Sequence, residues 1–375
     1  MRQGLMRCVV LCVVLSLSIP YDAKAAETHW GTPAIQKLMS EGIIEESVEP
    51  EQILTHEAFR TMLINSLEKN HSTEWPIKLD LMLSEQEDQI EWEEPIQRST
   101  MAAWIGGALD LTPLNGSFLY EDTKELSSFS NGWISAVTET HVLQGVGDNT
   151  FAPNRPVTVA ETSTALIKVI ELQDLTKQIA QTIVSHEEAI LDVFVETPLA
   201  DDRPAFAELE HEVLEHYTKN QLDHWRTIYN NSPGVLLEAA RLLPYTAQGI
   251  PWTATITEYT PTSLTFQAKV AETAASGAPF GMYNYVMRFD DGIWKIDEIT
   301  NRTAFISLTA YEAERLVHES IYMEDLQGEL TSEGSELNED GETLYVYGDY
   351  VNGEKVAELW VNADTGFLGY SDYEF

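Results

Sequence analysis

The sequence predicts a multidomain α plus α+β protein: helical repeats first, then a cone-like α+β domain with an antiparallel sheet, then a small helix-plus-β-meander module. Three observations predict it. Trp133 stands 25 residues before Thr158 and Trp30 stands 25 residues before Thr55, with Gly42 and Gly145, and Pro50 and Pro153, in the same register, so a helix–loop–helix unit recurs. From Trp252 the pattern turns alternating and β-branched. Near the C-terminus, Asn352-Gly353 and Asp364-Thr365-Gly366 are hairpin signals between apolar runs.

Residues 1–25 read as an export signal. Arg2 and Arg7 precede the apolar run Val9 to Ile19, and Ala23-Lys24-Ala25 fits a small-x-small cleavage site. The apolar run is shorter than the ~20 residues of a membrane span, and no membrane span is expected after cleavage. Cys8 and Cys12 both lie in this leader, so disulfides, thiolate metal sites and cysteine nucleophiles are excluded from the mature chain. The formal charge of −39 disfavours nucleic acid and anionic membranes.

The clearest repeat places a helix over Trp133 to His141. Gly145-Val146-Gly147-Asp148-Asn149 breaks it, and Asn154-Arg155-Pro156 forms a turn. Thr158-Val159-Ala160-Glu161 then opens a second helix as a capping box, with Leu166, Ile167 and Ile170 on its apolar face. This resembles the S-layer homology repeat, whose second helix opens with Thr-Arg-Ala-Glu. The region is 26–172, with repeats at about 28–68, a degenerate 71–110 and 118–172. Of the degenerate copy, Ile96 to Leu109 supplies the second half, and Trp75, Ile77, Leu81 and Leu83 are the candidate apolar face of the first.

The resemblance implies a three-pronged helical spindle whose grooves bind secondary cell-wall polymer, typically a pyruvylated sugar. It implies capture of a carboxylate by free helix-start amides and an Arg, with a Trp stacking on the sugar. The polymer-binding residues carried over are Arg98, Trp30, Trp133, Asp148, Asn149 and Thr158. The aligned helix starts are Thr55-His56-Glu57-Ala58, Gln97-Arg98-Ser99-Thr100 and Thr158-Val159-Ala160-Glu161; only the middle one keeps the Arg and only the last the full box.

Residues 173–305 form the second domain. Helices are expected over Leu172 to Phe194, Pro204 to Tyr229 and Gly234 to Leu243. Strands are expected over Trp252 to Tyr259, Ser263 to Glu272, Met282 to Phe289 and Trp294 to Ile299, with Asp290-Asp291-Gly292 as the last turn. Helices followed by such a sheet and hairpin resemble the nuclear transport factor 2-like cone. His211-Glu212-Val213-Leu214-Glu215-His216 misses the HExxH spacing by one residue, which puts its histidines about 140° apart on a helix. His211, His216 and His224 are therefore read as polar helix residues, and no metal or cofactor is expected.

Residues 306–375 form the third. Thr309 with Glu312 is a capping box, Glu329 to Glu342 is expected to be an acidic loop, and strands follow over 344–350, 355–361 and 367–370. The helix-plus-meander with its Val361-Asn-Ala-Asp-Thr-Gly366 segment resembles PepSY-type modules.

These resemblances imply a secreted, non-catalytic protein of the cell wall or cell surface. Its expected partners are secondary cell-wall polymer or peptidoglycan-linked polysaccharide, and another surface protein. Two other readings stand beside this one: a wall-tethered enzyme with a pocket in the second domain, and a structural or regulatory protein whose repeats no longer bind polymer.

Overall fold

The computed structural model describes residues 29–44, 48–69, 79, 83, 90–114, 119–196, 203–231, 254–270, 281–303, 305–318 and 328–372. The leader, Trp75, Ile77, Leu81 and the helix expected over 234–243 lie outside them. Eight α-helices and two four-stranded antiparallel sheets are present among the described residues, a mixed helix and sheet architecture.

The repeat region holds α1 (Thr32–Ser40), α2 (His56–Glu68), α3 (Arg98–Ala108), α4 (Ser128–Glu139) and the start of α5 (Val159–Glu196). Local caps work as the sequence predicts. The Thr55 hydroxyl accepts from the Ala58 amide at 3.2 Å, and Thr158 and Glu161 satisfy each other's amides at 3.3 Å. Leu79 and Leu83 are helical and buried, in the stretch where the degenerate copy needs an apolar face.

What joins the repeats is a closed ring of backbone hydrogen bonds. The amide of Leu54 donates to the carbonyl of Val157 (3.1 Å), Val157 to Ile96 (3.1 Å) and Ile96 back to Leu54 (3.0 Å). All three residues are buried, and each immediately precedes the N-cap of α2, α3 or α5. The next two amides of each helix continue the pattern. His56 and Glu57 donate to Glu94 and Trp92, Arg98 and Ser99 to Arg155 and Pro153, and Val159 and Ala160 to Gln52 and Pro50. A helix start has no intrahelical partner for these amides. Here each repeat supplies them for its neighbour, and three quasi-equivalent junctions result.

The helix α5 is 38 residues long, about 57 Å at 1.5 Å per residue. It leaves the third repeat and continues without a break past residue 172 into the second region. Leu166, Val169 and Ile170 are buried in its first half and Ile179, Ile183, Ile190 and Phe194 in its second. One apolar core runs from Ile35 to Ile296, and the Thr255 hydroxyl donates to the Leu109 carbonyl at 2.9 Å.

The second region adds α6 (Phe206–His216), α7 (Leu222–Asn231) and a sheet in the order β1 (Ala254–Thr260), β2 (Ser263–Val270), β3 (Gly281–Asp290) and β4 (Ile293–Thr303). The single helix expected over Pro204 to Tyr229 is two. Tyr217 turns extended at φ −123°, bridges Ile296, and Thr218 donates its hydroxyl to Asp297 at 2.6 Å. Pairing with β4 therefore ends α6. The β3–β4 turn places Asp291 and Gly292 at φ 51° and 87°, the left-handed pair that an Asp-Gly hairpin turn uses.

The last region has its own core of Ile306, Leu308, Ala313, Val317, Tyr347, Leu359 and Val361. It holds α8 (Ala310–His318), β5 (Glu329–Leu337), β6 (Thr343–Val351), β7 (Glu354–Asn362) and β8 (Leu368–Asp372). The Thr309–Glu312 box forms, with amide bonds of 2.8 and 3.2 Å. The acidic stretch expected as a loop is instead the strand β5, paired with β6 from Glu329↔Tyr350 to Leu337↔Thr343. It is almost wholly exposed, so no alternation of apolar residues marks it.

Candidate functional site

The junction between the second and third repeats forms an open groove of about 380 Å³, lined among others by Trp30, Arg98, Val146, Arg155, Glu161 and Lys168. Its wall is built by local contacts. Both carboxylate oxygens of Asp122 accept backbone amides, from Phe151 at 2.8 Å and Ala152 at 2.7 Å, and hold that loop in place. The loop then presents the Phe151 carbonyl to Arg98.

Arg98 is 4% exposed. Its Nε donates to the Phe151 carbonyl and its Nη2 to the Gln144 carbonyl, both at 2.9 Å, while Nη1 lies 3.5 Å from Glu161 Oε1. The guanidinium also sits 4.8 Å from the Phe151 ring centroid. Burial pushes its pKa below the ordinary value, and the Glu161 carboxylate opposes that shift. Arg98 thus fastens one repeat to the next and contributes mainly its charge to the groove.

The reachable cations are two others. Arg155 is 42% exposed at its side chain and pairs with Glu161 through both terminal nitrogens. Lys168 donates one bond to the His141 carbonyl at 2.9 Å, which leaves two of its three ammonium protons. Trp30, 61% exposed, and Val146, 48% exposed, supply apolar surface beside them. Three cations and one carboxylate make the groove positive in a chain of charge −39.

Of the residues expected to bind polymer, Trp30 and Arg98 line this groove and the other four do not. Trp133 is 9% exposed and packs against α3, where a Cβ at Gly106 would come within 2.5 Å of its ring. Trp30 precedes α1 whereas Trp133 lies inside α4, so the shared spacing to a Thr does not give them equivalent surroundings. Asp148 and Asn149 sit exposed at the tip of a turn, both left-handed at φ 47° and 56°. Thr158 uses its hydroxyl for the cap. The first two amides of α2, α3 and α5 are occupied by carbonyls of the neighbouring repeat, so they are not open to a carboxylate. Sequence reasoning passed over Arg155 and Lys168. Their signal was slight: two cations flanking a capping box in a chain poor in cations.

In the second region one of the three expected histidines, His216, meets another histidine. His211 and His224 are exposed. His216 meets His186, Nδ1 to Nδ1 at 2.8 Å, and His186 Nε2 lies 2.7 Å from the Trp294 carbonyl. A carbonyl only accepts, so His186 carries its proton on Nε2 and its Nδ1 accepts from His216 Nδ1–H. Burial lowers the pKa of both. Among the described residues, no group of three or more His, Cys, Asp or Glu is arranged to hold a metal, and no helix is long and apolar enough to cross a membrane.

Comparison with known families agrees with the geometry at the junction. Residues 119–162, the stretch from just before Tyr120 through the Thr158–Glu161 box, match the S-layer homology domain. The chain therefore contains an S-layer homology domain. A search of curated proteins finds no match to the chain.

Proposed function

We propose that this is an exported cell-surface protein that attaches non-covalently to secondary cell-wall polymer and displays two small, non-catalytic α+β modules. The observation that carries the reading is the S-layer homology match at 119–162, coinciding with a cationic groove flanked by the exposed Trp30. Proteins with this domain associate with cell-wall polymers. Arg155 and Lys168 present donors to a carboxylate, such as that of a pyruvylated sugar, and the Trp30 face suits a sugar ring. Arg98 holds the groove's wall.

The second region is read as nuclear transport factor 2-like and the last as PepSY-type, each a binding module for a ligand or another surface protein. Helices against a four-stranded antiparallel sheet support the first, and one helix with a meander supports the second. The exposure of His211 and His224, and the use of His216 by His186, favour a non-catalytic role.

Co-sedimentation of the mature chain with purified sacculi tests the proposal. Binding that disappears after hydrofluoric acid strips wall polymer is the expected result. Equal recovery in the supernatant with and without sacculi refutes it.

A further inference from the structure

The three junctions are alike in backbone and opposed in charge. At each, the first amide of one helix donates to a carbonyl of the next repeat, which pairs positions by geometry: His56 with Glu94, Arg98 with Arg155, and Val159 with Gln52. The third residue after each N-cap is Ala58, Thr100 or Glu161. The Arg98 junction thus carries two cations and one carboxylate at these positions, with Lys168 as a further cation on its wall.

The His56 junction forms a comparable groove of about 490 Å³, lined among others by His56, Glu91, Glu94, Thr100 and Trp104. His56 does the structural work of Arg98, its Nδ1 lying 3.1 and 3.0 Å from the carbonyls of Glu91 and Glu94. There the guanidinium of Arg155 is replaced by the exposed carboxylate of Glu94, and Glu91 adds a second. The remaining junction offers Val159, Gln52 and Ala58, with no charge at these positions.

Building on the wall-binding reading, we infer that, of the three junctions among the described residues, one is an anion-binding groove: Arg155 and Lys168 select an anionic sugar, and Glu91 and Glu94 turn it away from the equivalent groove. Affinity there follows complementary charge, and exclusion elsewhere follows like charge. A carboxylate or phosphate on the polymer meets two donors in one groove and two carboxylates in the other. Attachment is then monovalent, without the gain in avidity that linked sites provide.

The test uses the mature chain and purified sacculi. Arg155→Ala/Lys168→Ala is expected to weaken binding about tenfold or more, the loss of charge-assisted hydrogen bonds. Glu91→Gln/Glu94→Gln is expected to bind at least as well as wild type. Titration with a monosaccharide bearing one pyruvate ketal should saturate at one per chain. Full binding by the Arg155/Lys168 variant, loss of binding by the Glu91/Glu94 variant, or saturation at two or three overturns the inference while the wall-binding reading stands. Wild type that ignores sacculi defeats that reading itself. Unchanged thermal midpoints show that each variant is folded.

Discussion

Arg98 and Glu161 face each other across the junction of the second and third repeats, Nη1 3.5 Å from Oε1, with side chains only 5% and 16% exposed. The pair joins the Arg that opens α3 and the Glu that completes the Thr158 capping box, so it links two different helix starts. Glu161 also caps its own helix and takes Arg155, so one carboxylate joins the cap, the junction and the groove.

Arg98→Ala is expected to act on stability before binding. It leaves the carbonyls of Phe151 and Gln144 without their guanidinium donor and takes one cation from Glu161, which keeps Arg155 and the Thr158 amide, at a cost of about 1–3 kcal/mol. Arg98→Lys recovers little, since an ammonium cannot reproduce the planar fork. Urea unfolding midpoints of the mature chain check both.

Gly106→Ala should separate α3 from α4. The new Cβ would lie 2.5 Å from Trp133 Cε3, and overpacking of this kind costs about 1–3 kcal/mol. A lower thermal midpoint with a changed near-ultraviolet tryptophan signal is expected; an unchanged midpoint would remove Trp133 from the load on that interface.

The His186–His216 contact predicts acid sensitivity in the second region. Both folded pKa values lie below 6.5, lowered by burial; at His186 the Trp294 carbonyl raises it while His216 and Lys295 lower it further, and at His216 Glu215 and Glu212 raise it while Lys295 lowers it. The unfolded chain therefore takes up more protons in this range, and stability rises with pH. The contribution is complete above the unfolded pKa and is lost as pH falls from there through the depressed folded values. Thermal midpoints from pH 7.5 down to pH 5 should fall in wild type and fall less in His186→Gln.

Lys269 of β2 donates to both oxygens of Glu312, at 2.9 and 3.1 Å, and so ties the second region to the cap of α8. Lys269→Met is expected to leave a buried carboxylate without that partner and cost about 3 kcal/mol. Faster hydrogen exchange over 306–318, with the repeat region unchanged, would show it; uniform exchange would show that the pair does not hold this contact.

Features encoded within a few residues were legible. The Thr158–Glu161 and Thr309–Glu312 boxes and the Asp291-Gly292 and Asn352-Gly353 turns depend on neighbours one to three positions away, and the structure has each of them. β5 was not legible, because an exposed edge strand owes its form to the ladder with β6 and needs no apolar pattern of its own. The break at Tyr217 was hidden too, since it follows from a bridge to Ile296 rather than from a Pro or Gly.

The candidate site divides the same way. The sequence by itself determined that Trp30 and Arg98 fall in successive helix–loop–helix copies, because apolar periodicity and turn residues are local. Only the tertiary structure decided that Leu54, Ile96 and Val157 close a ring, that Arg98 is buried against carbonyls from the next repeat, and that Arg155, held by Glu161, and Lys168, held by the His141 carbonyl, line the groove with further N–H donors unspent. The reason is physical: a side chain's chemistry is written in its letter, but whether its donors are spent or available depends on groups that chain folding brings from 46 and 53 residues away.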